Sequence, residues 1–157
     1  MVKGRVEKPA LGYVGRTVKI DPEPLEAIVS AGYIPVVSPL SFYGYDRPAG
    51  APLLLNNNAD IIAGEIAAAI GASRLVFLTD VAGILDKQGK LIPELTHKSA
   101  EELIASGVAS GGMIPKIRAC VKAVATTGSA SIIDGRKPHA LLQEINGTYP
   151  GTKVVAK

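Results

Sequence analysis

The sequence predicts an α/β sandwich, on three observations. Of its 157 residues 47% are hydrophobic and only 20% charged, which supplies one sizeable core and excludes general disorder. Aromatic residues make up 4% and Trp is absent, so that core must be built from Ala, Val, Ile and Leu, a palette suited to buried strands covered by helices. The run Arg74 to Thr79 (RLVFLT) is continuously apolar from Leu75 to Leu78, as in a central parallel strand.

Taken in order, Gly15 to Ile20 alternates weakly and reads as a strand. The Asp21-Pro22-Glu23-Pro24 stretch then opens a helix carrying Leu25, Ile28 and Val29, which stops at Gly32. Ile34 to Pro39 is a short β-branched run bounded by prolines and predicts a second strand. From Leu40 to Pro52, Gly, Pro and aromatics occur without periodicity, which predicts a loop or loose hairpin and a boundary between residues 1–52 and 53–157. An alanine-rich helix follows from about Ile61 to Ile70, closed by Gly71, with Asp60 as the expected cap. After the strand at 74–79, Asp86 to Lys90 reads as a hairpin turn, and Ser99-Ala-Glu-Glu102 as a capping box for the next helix. Met113 to Thr127 is helical with Pro115 in its first turn. Ala130 to Ile133 is a buried strand, Pro138 to Ile145 a short helix, and Thr152 to Ala156 a last strand.

Several function classes drop out. The net charge is +3, but the basic residues are scattered, so nucleic acid is not an expected partner. One cysteine, Cys120, excludes an internal disulfide and CxxC chemistry and fits a reducing cytoplasm. The most apolar stretch, Ile61 to Ala72, is too short to span a bilayer and contains Glu65, and the amino end lacks a signal-peptide core. His97 and His139 have no partners at metal-ligand spacing, so no metal site is expected in the protein itself. No G-x-S-x-G elbow is present, and Cys120 falls on an apolar helical face as a packed thiol.

Three groups remain. Asn56, Asn58 and Asp60 alternate, so in an extended segment all three face one way; a cap with turn asparagines would explain them too, although three asparagines exceed what capping requires. Thr79-Asp80 with Gly83 follows the carboxyl end of the buried strand, where α/β folds bind ligands, and an ordinary strand-ending turn is the competing explanation. In Ser110-Gly111-Gly112-Met113-Ile114-Pro115-Lys116, two glycines precede a helix with a lysine in its first turn. That lysine opposes the helix dipole, a combination suited to phosphate, unless the lysine is simply solvated.

Together these groups resemble something known. LGYVG at Leu11–Gly15, AGYIPVVSP at Ala31–Pro39, NNNAD at Asn56–Asp60, LTDVAGILD at Leu78–Asp86, SGGMIPK at Ser110–Lys116 and IIDGRKPHA at Ile132–Ala140 resemble the carboxyl-terminal part of the amino acid kinase family. The N-x-N-A-D and SGGMIPK pair resembles its acetylglutamate-phosphorylating branch rather than glutamate 5-kinase, aspartokinase or uridylate kinase. The resemblance implies a three-layer αβα sandwich with a mainly parallel central sheet. It also implies transfer of the γ-phosphoryl of ATP, with Mg²⁺ carried on the phosphates, to the side-chain carboxylate of N-acetyl-L-glutamate in arginine biosynthesis, in a homo-oligomer. Carried over by position, Asn56 and Asn58 would hold the acceptor, Asp60 would organise the catalytic lysines, and Lys116 would stabilise the transferring phosphoryl group. Thr79, Asp80, Val81, Gly83, Ile84 and Leu85, with Val108, Ala109, Ser110, Gly111, Gly112 and Met113, would contact the nucleotide.

Two departures stand out. Asn57 replaces a usual aliphatic residue. The family's glycine-rich first strand, second catalytic lysine, double-glycine loop and substrate-gripping arginine have no counterpart upstream of Leu11, so the chain is expected to be a fragment of reduced activity. A nucleotide-binding module without turnover, or a family kinase for another acidic substrate, would fit the same motifs.

Overall fold

In a computed structural model, which describes residues 1–7 and 12–156, the chain forms two four-stranded mixed sheets with five helices among the described residues. Leu11 of the LGYVG motif lies outside the described residues. In the first sheet β1 (Val2–Val6) pairs antiparallel with β2 (Gly15–Ile20) and parallel with β3 (Leu40–Tyr43), which pairs antiparallel with β4 (Leu54–Asn56). β4 carries this sheet past the expected boundary at 52/53. Helix α1 (Glu23–Ser30) follows β2, starts on prolines and buries none of its residues. The expected strand at 34–39 belongs to no sheet, and β3 occupies part of the expected loop.

Helix α2 (Ala59–Ala69) begins at Asn58, whose side-chain oxygen accepts the Ile61 N–H at 3.1 Å, and ends at Gly71, where φ is +57°. The cap is thus Asn58, and Asp60 sits inside the first turn, where a carboxylate favours the dipole. Strand β5 (Arg74–Thr79) leads to the 86–90 turn, which the Asp86 carboxylate closes by accepting the N–H groups of Gln88 and Lys90 at 2.9 Å each. The short β6 (Glu94–Thr96) runs into α3 (His97–Ala105). Its capping box is Thr96 with Ser99, three residues earlier than expected, because β6 holds Thr96 extended against the last strand.

Helix α4 (Met113–Val124), β7 (Ser129–Asp134), α5 (Ala140–Ile145) and β8 (Thr152–Val155) complete the chain. The second sheet has the order β5-β7-β8-β6, with β5–β7 and β6–β8 parallel and β7–β8 antiparallel. Every residue of β7 is buried. Its Ala130 and Ile132 join Ile117, Cys120 and Ala123 of α4 in the core cluster, whereas Ser131, facing the other way, donates to Glu144 of α5 at 2.6 Å. Helices therefore cover both faces, the expected three-layer arrangement. No helix among the described residues is long and apolar enough to cross a membrane.

Candidate functional site at the carboxyl edge of the second sheet

α2 and α4 lie side by side and run the same way. Contacts advance together along both: Asp60 with Lys116, Gly64 with Ala119, Glu65 with Lys122, and the Ala68 carbonyl with the Thr126 hydroxyl. Gly64 allows this, since a Cβ there would sit 2.9 Å from Cα, Cβ and O of Ala119. Each helix returns through a short connection, 70–73 or 125–128, to a strand it packs on, β5 or β7. Both helix amino ends therefore lie at the carboxyl edge of those strands, the edge where α/β sheets bind ligands.

At that edge the Lys116 ammonium donates to Asp60 Oδ2 at 2.9 Å, with the two side chains 25% and 20% exposed. The lysine's conflict with its own helix dipole is offset by a carboxylate from the neighbouring helix. One turn further, burial pushes the Cys120 thiol up to about 12, with the Asp60 charge adding to the effect, so it stays protonated and takes no nucleophile's role.

Asn56 is exposed at the end of β4, and the carbonyl of Asn58, also exposed, is taken by the helix cap, which leaves its amide nitrogen for a ligand. Asn57 points the other way: it is 7% exposed, donates to Ser41 Oγ at 2.8 Å and the Leu55 carbonyl at 3.1 Å, and so leaves its flanking asparagines undisturbed. Ahead of α4, Gly111 has φ +54°, which favours glycine, but Gly112 has φ −66° and a Cβ there would meet nothing within 4 Å. Neither conformation nor packing requires glycine at 112. What its lack of a side chain leaves open is the backbone at an uncapped helix amino end.

The remaining nucleotide candidates divide. Asp80 and Val81 are exposed beyond β5, in a turn closed by Thr79 Oγ1, which accepts the Val81 N–H at 3.2 Å. Ser110 is exposed, Met113 half-buried, and Val108 borders a groove of about 500 Å³ beside the 86–88 turn. Ile84 and Ala109, by contrast, are core residues, 2% and 5% exposed. The close approach at Gly83 is to Thr152 of β8, whose Oγ1 would lie 2.6 Å from a Cβ, and Leu85 bridges to Leu91.

One charged pair at this edge was given no role by the sequence. Asp134, opposite Thr79 in the β5–β7 ladder and 4% exposed, accepts from Arg136 Nε and Nη2 at 2.9 Å each. The Arg136 hydrogen bond holds the Asp134 carboxyl down to about 2, and Asp80 lies close enough to add to the charge around Arg136. The signal was an acidic residue ending a buried strand, two places before an arginine. Among the described residues no group of three or more His, Cys, Asp or Glu could hold a metal ion.

An α/β sandwich with a lysine–aspartate pair between two helix amino ends is an arrangement for handling anionic groups. The chain belongs to the amino acid kinase family, whose sequence profile matches residues 2–134. It is 47% identical over 156 residues to the acetylglutamate kinase of Dehalococcoides mccartyi (strain CBDB1), covering 99% of this chain and 57% of that protein. Among solved structures it is similar to the smu.665 protein of Streptococcus mutans UA159, with a TM-score of 0.80 and 28% identity, across 99% of this chain and 57% of that one. It also shares the fold of N-acetylglutamate synthase from Neisseria gonorrhoeae, with a TM-score of 0.83 and 24% identity, across 99% of this chain and 36% of that one. The chain thus spans a little over half the length of the curated relatives it first matches.

Proposed function

We propose that this chain takes part in ATP-dependent phosphorylation of the side-chain carboxylate of N-acetyl-L-glutamate, a cytoplasmic step of arginine biosynthesis. The observation that carries the reading is the Lys116–Asp60 pair, 56 positions apart in sequence and 2.9 Å apart between two adjacent helix amino ends. The named acetylglutamate kinase relatives supply the acceptor. In the reaction an acceptor carboxylate oxygen forms a bond to the γ-phosphorus as the bond from phosphorus to the ADP oxygen breaks, with ADP as the leaving group.

Lys116 places positive charge where the transferring group spreads its negative charge, and Asp60 fixes the ammonium in that position. Asn56 and Asn58 orient the acceptor from the same edge. The open backbone at Gly111 and Gly112 fits a nucleotide's phosphates, for which amide donors and a helix dipole are the required chemistry. When bound, Mg-ATP supplies the phosphoryl group and part of the charge neutralisation. The acceptor side comprises residues 1–52 together with β4 and the Asn56–Asn58 segment, and the rest of 53–157 is the nucleotide side.

The test is turnover with purified protein carrying Lys116→Ala, in the longest form of the enzyme that shows activity. The expected fall is roughly 10²- to 10³-fold in kcat with little change in nucleotide affinity. Unchanged kcat would refute the role of Lys116, and absence of phosphorylation on N-acetyl-L-glutamate with activity on another acid would refute the acceptor.

A further inference from the structure

Thr152 belongs to none of the motifs that the sequence singles out, yet the loop after β5 is built around it. It opens β8, is fully buried, and uses its hydroxyl in both senses: Oγ1 accepts the Ile84 N–H at 2.8 Å and donates to the Ile92 carbonyl at 2.7 Å. The Ile92 N–H in turn donates to the Ile84 carbonyl at 2.8 Å, so one hydroxyl closes the base of the 84–92 turn and ties it to the second sheet. Gly83 is part of the same arrangement. Its φ of +150° favours glycine, and a Cβ there would also stand 2.8 Å from Leu91 Cδ1 and 3.0 Å from the Thr152 nitrogen, so the chain lies against Thr152 only where it has no side chain.

We propose that Thr152 is a positioning residue for the nucleotide: its hydroxyl holds Gly83 and Ile84 down on β8 and so presents Asp80 and Val81, the exposed part of the same loop, to the nucleotide. The proposal rests on the reading of this loop as nucleotide-binding and adds a residue that itself touches no ligand. Its physical basis is the Ile84 N–H, which sits on a core residue and has the Thr152 hydroxyl as its acceptor. Remove that oxygen and a buried donor is left unpaired, a state relieved when the loop lifts and water reaches the amide. The start of the loop has its own anchor, because Thr79 Oγ1 donates to the Ile133 carbonyl at 3.1 Å and accepts the Val81 N–H at 3.2 Å. The sheet therefore stays in place, and the displacement falls on the residues between Val81 and Ile84.

The experiment titrates Mg-ADP by calorimetry into the parent chain, Thr152→Val, Thr152→Ser and Leu75→Ala. Thr152→Val, which keeps the shape and loses the hydroxyl, should bind about tenfold more weakly, whereas Thr152→Ser, which keeps the hydroxyl, should stay within about threefold of the parent. Leu75, in the core at the amino end of β5 and so far from the loop, separates positioning from plain loss of stability: Leu75→Ala should lower Tm and bind Mg-ADP as the parent does. Where Thr152→Val does not fold, hydrogen exchange on the parent chain decides, since Mg-ADP at about ten times its Kd should slow the Ile84 amide about tenfold. Parent-like binding by Thr152→Val, a Thr152→Ser chain as weak as Thr152→Val, a Leu75→Ala chain weakened to the same degree, or an Ile84 amide indifferent to Mg-ADP would each overturn the proposal and leave nucleotide binding standing. A folded parent chain that does not bind Mg-ADP would overturn the nucleotide reading and this proposal together.

Discussion

Gly64→Val is the sharpest test of how the site is assembled. A Cβ at this position would stand 2.9 Å from three atoms of Ala119, two of them backbone, so no side-chain rotation relieves the contact. Ordinary carbon contacts lie near 3.5–4.0 Å, so the helices must separate by roughly 0.5–1 Å. Overpacking of this kind costs about 1–3 kcal/mol, and two γ-methyl groups place Val toward the upper end. Better helix propensity returns only a few tenths, leaving a net loss of about 2–3 kcal/mol. For a domain of this size that lowers Tm by roughly 4–12 °C. Urea unfolding followed by circular dichroism measures the loss, with Gly64→Ala as a milder companion whose propensity gain of about 1 kcal/mol offsets part of its clash. A Gly64→Val protein within about 0.5 kcal/mol of the parent would mean that α2 and α4 do not meet at this spacing, and the placement of Lys116 beside Asp60 would lose its support.

Three other outcomes are expected. Gly112→Ala should hold or raise stability, by up to about 1 kcal/mol, because its φ suits alanine and the space is open, while weakening Mg-ADP in a calorimetric titration; unchanged binding would remove the open backbone from the nucleotide site. Cys120 should resist iodoacetamide at pH 8 in the folded chain and react once unfolded. Its thiol is raised in the folded state, so its contribution to stability is complete below pH 9 and is lost as pH rises from there toward 12; wild type should lose ground against Cys120→Ala across that window in urea unfolding. The Asp134 carboxyl should titrate near 2 by carbon NMR and move upward in Arg136→Gln. Because it is depressed, its stabilising effect is present above about pH 4 and fades as pH falls toward 2, and an unmoved midpoint would show that Arg136 is not the cause.

What could be read from the sequence was whatever carries its own local signal. α2, β5, β7 and the 86–90 turn announce themselves through a stop glycine, apolar runs and a DxxG turn. β1 could not be foreseen, because VKGRV holds two charges and a glycine and becomes a strand only through its neighbours β2 and β3. Ile34–Pro39 fails in the opposite sense: its composition is that of a strand, but pairing needs a second segment. The α3 capping box shows the same limit: SAEE matches the box pattern, but the pairing of β6 with β8 makes Thr96 the cap, with Ser99 in place of the usual Glu or Gln. At the site, the polar clusters were visible as separate patches. Their meeting depends on Gly64 lying against Ala119, a contact no spacing rule encodes. The core positions of Ile84 and Ala109 were hidden because motif residues that touch a ligand and those that merely pack behind it look alike in a string.

The parallel pairing of α2 with α4 also sets when the charged centre comes into being. No segment shorter than the 57 residues from Asp60 to Lys116 contains both partners, and the intervening chain holds β5, the 86–90 turn, β6 and α3. Bringing the ammonium to the carboxylate is therefore a non-local event in folding, which closes a long loop. The same interface makes its loss abrupt: an opening that parts the two helices breaks the ion pair and disperses both amino ends at once. The exchange lifetime of amides buried between Ile62 and Ala67 is then a direct clock for how long the centre persists.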